Sequence, residues 1–192
     1  MSQLADTIKK DLNKSLDKKR YEHTIGVAYT AVALAMCYKM DLETAYLAGL
    51  LHDCAKCMPN EEKLEYCFEN DIPVSVYEKK NPALLHGKIG SHIAAKKYHI
   101  KDFDILNAIS YHTTGRPNMS MLEKIVYIAD YIEPLREHDS DLPIIRSLAF
   151  TDINEAMALI LKNTLKHLSD SNKQTDPLTS QTYDFYISER NQ

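Results

Sequence analysis

The sequence predicts an all-α fold, and three observations support that prediction. Glycine is scarce, with 5 residues in a chain of 192. No long stretch alternates apolar and polar side chains, as a half-buried strand would. Apolar residues recur instead at helical spacing along most of the chain. We expect residues 1–192 to form a single domain, because a chain of this length buries a core without disulfide or metal cross-links.

The first half of the chain is predicted to hold an N-terminal helix and three more helical segments. Apolar residues spaced one per turn, from Leu4 to Leu16, give the N-terminal helix within residues 1–18 a buried face. Asp41 is a suitable N-cap for the third helix, and Pro59 closes that segment. The three further helices are predicted over residues 19–40, 42–56 and 60–69.

The second half is predicted to contain five helices and a polar tail. Pro82 suits the first turn of a helix, and the spacing of Ser120 and Glu123 is typical of a capping box. The segments 113–118 and 135–141 are interpreted as loops, and 169–192 as the tail. The helices are predicted over residues 83–98, 102–112, 120–134, 143–150 and 152–168.

Composition and charge argue against several classes of protein. A formal net charge of −4 and a pI near 6.1 do not fit a general nucleic-acid-binding protein, which carries a basic face. No apolar run is long enough to span a membrane, and the N-terminal segment lacks the apolar core of a signal peptide. We therefore expect a cytoplasmic protein that binds neither nucleic acid nor membrane.

Two aspartates lie in apolar surroundings and need compensating charge. The apolar run 47–51 ends in the adjacent pair His52-Asp53, and Asp130 lies within the apolar run 125–132. A buried carboxylate costs several kcal/mol unless it is paired or coordinates a metal. A divalent ion would neutralise both aspartates at once.

Histidine and aspartate residues can supply the ligands of such an ion, and the candidates are His23, His52, Asp53 and Asp130. This set suits iron, manganese, zinc or nickel better than calcium or magnesium. It lacks a thiolate, which argues against a closed structural zinc site. Asp53 has a second oxygen that could bridge to a second ion, with His86 and His112 as further ligands, so the number of ions, one or two, stays open.

Five motifs of the chain resemble one enzyme family. They occupy residues 20–27, 50–56, 85–87, 112–115 and 127–136. A separate histidine, a His-Asp pair and a later helical aspartate are similar to the HD superfamily of metal-dependent phosphohydrolases. The more detailed resemblance, over residues 20–165, is to the bacterial YqeK-type symmetrical bis(5′-nucleosyl)-tetraphosphatases.

The resemblance implies an HD-domain helical bundle, a bound iron centre and hydrolysis of diadenosine tetraphosphate to two ADP. Carried over by position, the metal ligands are His23, His52, Asp53 and Asp130, and the groups near the phosphates or a second metal are Arg20, His86, His112 and Arg136. The resemblance also implies that the tail 169–192 closes over the nucleotide. The segment 182–186 departs from the family pattern there.

The expected mechanism is attack of a metal-bound water on a phosphoanhydride phosphorus. Developing charge would be met by cations, and a histidine could protonate the leaving ADP. The predicted catalytic residues are Asp53, Lys56, His86 and His112. The predicted substrate-binding residues are Arg20, His23, Asp53, His86, His112, Thr113 and Arg136.

Simpler roles and other functions remain open at this point. Lys56 could have no role beyond pairing with Asp53 at a helix C-terminus. Arg136 could form a salt bridge within a loop, and Arg20 could be the solvated end of the basic run 18–20. The alternative enzyme is another HD phosphohydrolase, acting on a nucleotide monophosphate, a cyclic dinucleotide or a guanosine alarmone. A non-catalytic nucleotide sensor is the alternative from another class. The expected partner is a dinucleoside polyphosphate substrate, and self-association as a homodimer stays open.

Overall fold

Helices account for all the regular secondary structure in the computed structural model, which describes residues 2–137, 140–171 and 175–189. The α-helices are α1 (Gln3–Ser15), α2 (Lys18–Cys37), α3 (Leu42–Leu51), α4 (Asn60–Glu69), α5 (Val76–Lys80), α6 (His86–Lys97), α7 (Phe103–Tyr111), α8 (Met121–Ile132), α9 (Leu142–Ala149), α10 (Ile153–Asp170) and α11 (Pro177–Glu189). A short 3-10 helix, Pro82–Leu85, precedes α6. The all-α prediction is confirmed. Within these described ranges, no helix is long and apolar enough to cross a membrane.

Helix α3 lies at the centre of the bundle. Asp41 caps it by accepting a hydrogen bond from the Thr44 backbone nitrogen, and every residue from Ala45 to Leu51 is buried. The helix packs against α1, α2, α6, α7 and α8. A helix that is apolar on all faces is stable only when neighbours surround it, so these contacts explain its composition.

Small residues let α3 and α2 approach closely. A Cβ placed on Gly49 would lie 2.7 Å from the Cα of Ala28 and 3.4 Å from the Cβ of Ala31. The two backbones are therefore in direct contact at this point. This close approach fixes the distance between His23, on α2, and the residues that follow α3.

The predicted extent of the third helix was wrong, because α3 ends at Leu51 rather than near Lys56. Residues 52–57 form tight turns, in which the Cys54 nitrogen donates to the Leu51 carbonyl and the Lys56 nitrogen to the Asp53 carbonyl. Successive residues on an α-helix point about 100° apart. By leaving the helix at this point, the chain turns His52 and Asp53 towards the same space.

Two helices were missed in the sequence, α5 and α11. Helix α5 has only five residues and is fixed by a capping box between Ser75 and Glu78. Helix α11 lies in the segment that was interpreted as a polar tail. It packs against α10 and buries Thr182 and Tyr186 completely or nearly so. Its Thr- and Tyr-rich sequence lacks the apolar stripe that identifies helices by periodicity.

Replacing Gly49 with alanine is predicted to destabilise the protein. The added methyl group meets Ala28 backbone, and overpacking of this kind costs about 1–3 kcal/mol. That exceeds the gain of about 1 kcal/mol from the higher helix propensity of alanine. Gly90→Ala is the matched control, because its Cβ would come closest to side-chain atoms that can shift, at 3.2 and 3.3 Å, and would lie at an ordinary contact distance of 3.5 Å from the nearest backbone atom, the Leu51 carbonyl oxygen. Urea unfolding should give a lower midpoint for Gly49→Ala alone, and equal midpoints would contradict this account of the packing.

Candidate metal centre and active site

The candidate site lies where several helix ends converge beyond the C-terminus of α3. His52 and Asp53 directly follow α3, His86 begins α6 and His112 directly follows α7. His23 projects from the second turn of α2, and Asp130 lies in the last turn of α8. The side chains of His23, His52, Asp53, His86 and His112 are all buried. The structure thus brings together all the residues that were predicted as ligands of the first or second metal.

Three of the histidines share one local arrangement, in which Nδ1 contacts the backbone carbonyl three residues earlier. These contacts join His52 to Gly49 at 2.7 Å, His86 to Ala83 at 2.5 Å and His112 to Ile109 at 2.7 Å. A carbonyl oxygen can only accept a hydrogen bond, so Nδ1 carries the proton in each ring. The lone pair of each neutral ring is then on Nε2, which faces the centre of the site.

The ring proton of His23 is also on Nδ1, because a carboxylate accepts a hydrogen bond from that atom. Its Nδ1 lies 3.1 Å from Oε1 of the buried Glu133, so Nδ1 donates and Nε2 is left as the acceptor. Gly26 makes room for this glutamate, because a Cβ at Gly26 would lie 2.7 Å from Glu133 Oε2. Metal-ligating histidines commonly donate their other ring proton in this way, which fixes their orientation.

The inward-facing atoms repel one another unless a cation lies between them. His23 Nε2 is 3.0 Å from Asp130 Oδ1, and His86 Nε2 is 3.0 Å from His112 Nε2. Among the described residues, no hydrogen-bond partner satisfies the buried Nε2 atoms of His23 and His52 or Oδ1 of Asp53. Buried polar atoms without a partner are costly. A divalent metal ion fits these donors and removes that cost.

The donors form two overlapping groups, each with its ligand atoms within 4.8 Å of one another. One group comprises His23, His52 and Asp130, and the other His52, Asp53 and His112. His52 belongs to both. Nitrogen and oxygen donors without thiolate suit a transition metal, and either group leaves coordination positions open.

Cationic side chains surround the Asp53 carboxylate. Arg20 Nη1 lies 2.7 Å from Asp53 Oδ2, and Lys56 Nζ lies 3.4 Å from Oδ1. Burial raises the pKa of Asp53, while positive charge on the inward side of its imidazole neighbours, His52 first and then His112 and His86, lowers it, and the net pKa lies well below the usual range. A bound cation supplies that positive charge when the rings are neutral. Asp53 is therefore a carboxylate at neutral pH.

A second cation pairs with the other acidic ligand. Arg136 donates from Nη2 to Asp130 Oδ1 at 2.8 Å and from Nε to the Asp130 carbonyl at 3.1 Å. Burial raises the pKa of Asp130, while a positive charge or a proton between His23 Nε2 and this carboxylate lowers it, and the net pKa lies below the usual range. Arg146 supports this turn by donating to the carbonyls of Ile132 and Arg136.

The inner end of the site combines a lysine, a threonine and two histidines. Lys56 Nζ is 3.1 Å from His86 Nε2, and Thr113 Oγ1 is 3.2 Å from the Nε2 atoms of both His86 and His112. Burial lowers the pKa of His86 to about 4. His86 is thus a neutral acceptor at physiological pH, which suits a metal ligand or a hydrogen-bond acceptor better than a proton donor.

A cavity of about 570 Å³ opens from this cluster to the surface. The residues of this cluster that line it include His23, His112 and Asp130. Basic side chains also line it and form a cationic rim: Lys19, Arg20, Lys56 and Arg136. The remaining wall includes Tyr127, Tyr131, Leu142, Thr164 and His167. The cavity therefore joins a group of metal donors, a cationic rim and a partly aromatic wall.

Sequence reasoning missed three residues that hold the site together: Gly26, Glu133 and Arg146. Glu133 carried a usable signal, because it is an acidic residue one turn after Asp130 at the end of an apolar helix. His167 also lines the cavity wall.

Replacing Asp53 with alanine is predicted to remove bound metal while the protein stays folded. The change removes a central oxygen ligand but leaves α3 and its packing intact. Elemental analysis should show a large loss of divalent metal, and circular dichroism should show unchanged helix content. Asp104→Ala is the control, since Asp104 is exposed on α7. Full metal occupancy in Asp53→Ala would contradict the assignment of this centre.

Comparisons with known proteins agree with the geometry. The HD domain family model matches residues 20–135. A Bacillus subtilis protein named symmetrical bis(5′-nucleosyl)-tetraphosphatase is 38% identical over 92% of this chain and 94% of its own length. A Halalkalibacterium halodurans protein of the same name is 40% identical over 91% of this chain and 92% of its own length.

A solved structure has nearly the same fold. The crystal structure of a predicted HD superfamily hydrolase from Clostridium acetobutylicum, described as involved in NAD metabolism, superposes with a TM-score of 0.92. It is 44% identical and covers 96% of this chain and 97% of that one. The chain belongs to the HD domain family and, within it, to the family of the symmetrical bis(5′-nucleosyl)-tetraphosphatases.

Proposed function

We propose that this protein is a metal-dependent hydrolase that cleaves dinucleoside tetraphosphates symmetrically, releasing two ADP from diadenosine tetraphosphate. The observation that carries the proposal is the convergence of histidine Nε2 atoms and two carboxylates beside a cation-lined cavity. The names of the related proteins supply the substrate class. A tetraphosphate chain is strongly anionic, and the cationic rim offers it matching charge.

His23, His52, Asp53 and Asp130 are the proposed ligands of a divalent ion. Such an ion polarises a phosphoryl oxygen and lowers the pKa of a water molecule, which provides the nucleophile for hydrolysis. We propose iron as the resident ion, because the family resemblance implies it and imidazole and carboxylate ligands are compatible with it. Manganese, nickel and zinc are the other candidates for this donor set, and elemental analysis of active protein distinguishes them.

The arginines have a second role once the acidic ligands are neutralised. In the structure Arg20 pairs with Asp53 and Arg136 with Asp130. A cation held by the same carboxylates competes for those oxygens, so each guanidinium becomes available to an anion. Arginine binds phosphate through paired N–H donors, and both side chains line the cavity. Arg20 and Arg136 are therefore proposed phosphate-binding residues.

Lys56, His86, His112 and Thr113 are proposed to act at the inner end of the phosphate chain. Lys56 Nζ lies between His86 Nε2 and Asp53 Oδ1, at 3.1 and 3.4 Å. A cation fixed at this position can stabilise charge that develops on the leaving phosphate. His86 and His112 offer two further nitrogen ligands for a second ion, and Thr113 offers a hydroxyl to a phosphate oxygen.

The products decide whether the proposed reaction is correct. Metal-loaded protein is incubated with diadenosine tetraphosphate, and the products are separated by chromatography; we expect ADP as the only nucleotide product. AMP with ATP would overturn the symmetrical cut. Faster cleavage of a nucleotide monophosphate, a cyclic dinucleotide or a guanosine alarmone would favour another HD phosphohydrolase. Tight binding without turnover would favour a sensor.

Replacing Arg136 with alanine is predicted to lower kcat/KM for diadenosine tetraphosphate by about 10- to 100-fold, since a hydrogen bond to a charged group contributes about 1.5–3 kcal/mol. Arg136→Lys should recover only part of the loss, because lysine cannot form the paired contact. Lys166→Ala, which removes an exposed charge on α10, is the control. Equal kcat/KM values for Arg136→Ala and the control would contradict the phosphate-binding role.

A further inference from the structure

A symmetrical cut requires the enzyme to hold two equal nucleotide halves on either side of the reacting phosphorus. The cavity with the cationic rim can hold the phosphates and one nucleoside. We propose that a second cavity, lined by α5, α7 and α11, binds the nucleoside of the other half. This inference rests on the proposed function and adds a second nucleoside subsite to it.

The two cavities meet at Thr113, which lines both of them. Thr113 Oγ1 lies 3.2 Å from the Nε2 atoms of His86 and His112, at the inner end of the proposed active site. Asp130 and Tyr131 line only the first cavity, whereas Tyr77 and Gln181 line only the second. A ligand that occupies both cavities would therefore pass Thr113 and the two histidines beside it.

The charge of the second cavity suits a neutral nucleoside rather than a phosphate. Among the described lining residues, Lys88 is the one lysine or arginine. Its Nζ lies 2.8 Å from both carboxylate oxygens of the buried Glu78 and 3.0 Å from the Pro73 carbonyl. Asp176 adds a negative charge to the wall. An anionic group would be repelled here, whereas a base and a ribose offer donors to these oxygens.

Size and aromatic content point to the same ligand. The volume of the second cavity is about 260 Å³. This is slightly below about 300 Å³, the lower end of the volumes of small-molecule sites, and therefore suits a nucleoside without its phosphates. Tyr77 and Tyr111 contribute aromatic rings to the wall. The guanidinium of Arg116 lies 5.1 Å from the centre of the Tyr111 ring, and Glu123 fixes that guanidinium through two hydrogen bonds. Such rings can stack on a base.

Helix α11 builds one wall of the second cavity and is anchored to the loop that follows His112. Gly115 has φ +65°, and a Cβ there would lie 2.8 Å from Thr182 Cγ2. The Met119 nitrogen donates to the Tyr186 hydroxyl at 3.3 Å. From the same helix, Leu178 and Gln181 face the cavity. In this proposal, the C-terminal helix α11 forms part of the second nucleoside subsite.

The test compares two substrates that differ only in the second nucleoside. Diadenosine tetraphosphate carries two nucleosides, whereas adenosine tetraphosphate carries one and gives ADP and pyrophosphate when cut at the same bond. Metal-loaded full-length protein is assayed with each, and adenosine tetraphosphate is also measured as an inhibitor, so that its affinity is known even where its cleavage is slow. The kcat/KM of the wild-type protein should be higher for diadenosine tetraphosphate than for adenosine tetraphosphate.

Tyr77→Ala is the test variant, and Tyr29→Ala, an exposed tyrosine outside both cavities, is the matched control. We expect Tyr77→Ala to lower kcat/KM for diadenosine tetraphosphate about tenfold, as the loss of one stacked base would. Its kcat/KM and inhibition constant for adenosine tetraphosphate should equal those of wild type. Tyr29→Ala should change neither.

Three results would overturn the second subsite while the proposed function stands. In the first, wild type has the same kcat/KM for the two substrates. In the second, Tyr77→Ala lowers kcat/KM equally for both substrates. In the third, Tyr77→Ala lowers kcat/KM for neither substrate. If wild type cleaved neither compound, the proposed function would be rejected, and the second subsite with it. The outcome pattern thus separates the two claims.

Discussion

Burial of the Asp53 carboxylate among imidazole rings sets the charge balance on which the rest of the site depends. Its neighbours include His52, His86 and His112, each with the ring proton on Nδ1 committed to a backbone carbonyl. Lone pairs therefore meet the carboxylate from several sides, and cations or hydrogen-bond donors are needed to satisfy them. Arg20 and Lys56 supply part of the positive charge in the structure. In the proposed metal-loaded enzyme, a divalent ion would supply the remainder and leave the basic side chains free for phosphate.

The packing of the helices around α3 brings these groups to one place. Helix α3 is buried on all faces because α2, α6, α7 and α8 surround it, and each of these neighbours contributes a ligand or a residue next to one. Gly49 brings α2 close enough for His23 to reach the centre, and Gly26 makes room for Glu133. The proposed ligands thus belong to rigid helices or to the first two residues beyond a helix end, which favours precise geometry.

Much of this architecture could be predicted from the sequence, and the exceptions have physical causes. Helical periodicity identified the longer helices except α11, and the cost of a buried charge singled out Asp53 and Asp130. The end of α3 was misplaced because apolar periodicity continues past Leu51, although the backbone turns there. Glu133 acts through another residue, and its position one turn after Asp130 does not identify His23 as that residue. The second cavity combines residues far apart in the chain, from Ser75 to Gln181, and only the tertiary fold unites them.

The central claim is that a single ion position reconciles the buried carboxylates with the inward-facing histidines. Anomalous diffraction from crystals of the metal-loaded protein, collected at the absorption edge of the bound metal, tests it directly. We predict a strong anomalous peak within coordination distance of His23 Nε2, His52 Nε2, Asp53 and Asp130, with Arg20 and Arg136 turned towards the cavity. A metal-loaded crystal whose anomalous density lies away from these four side chains would contradict the account.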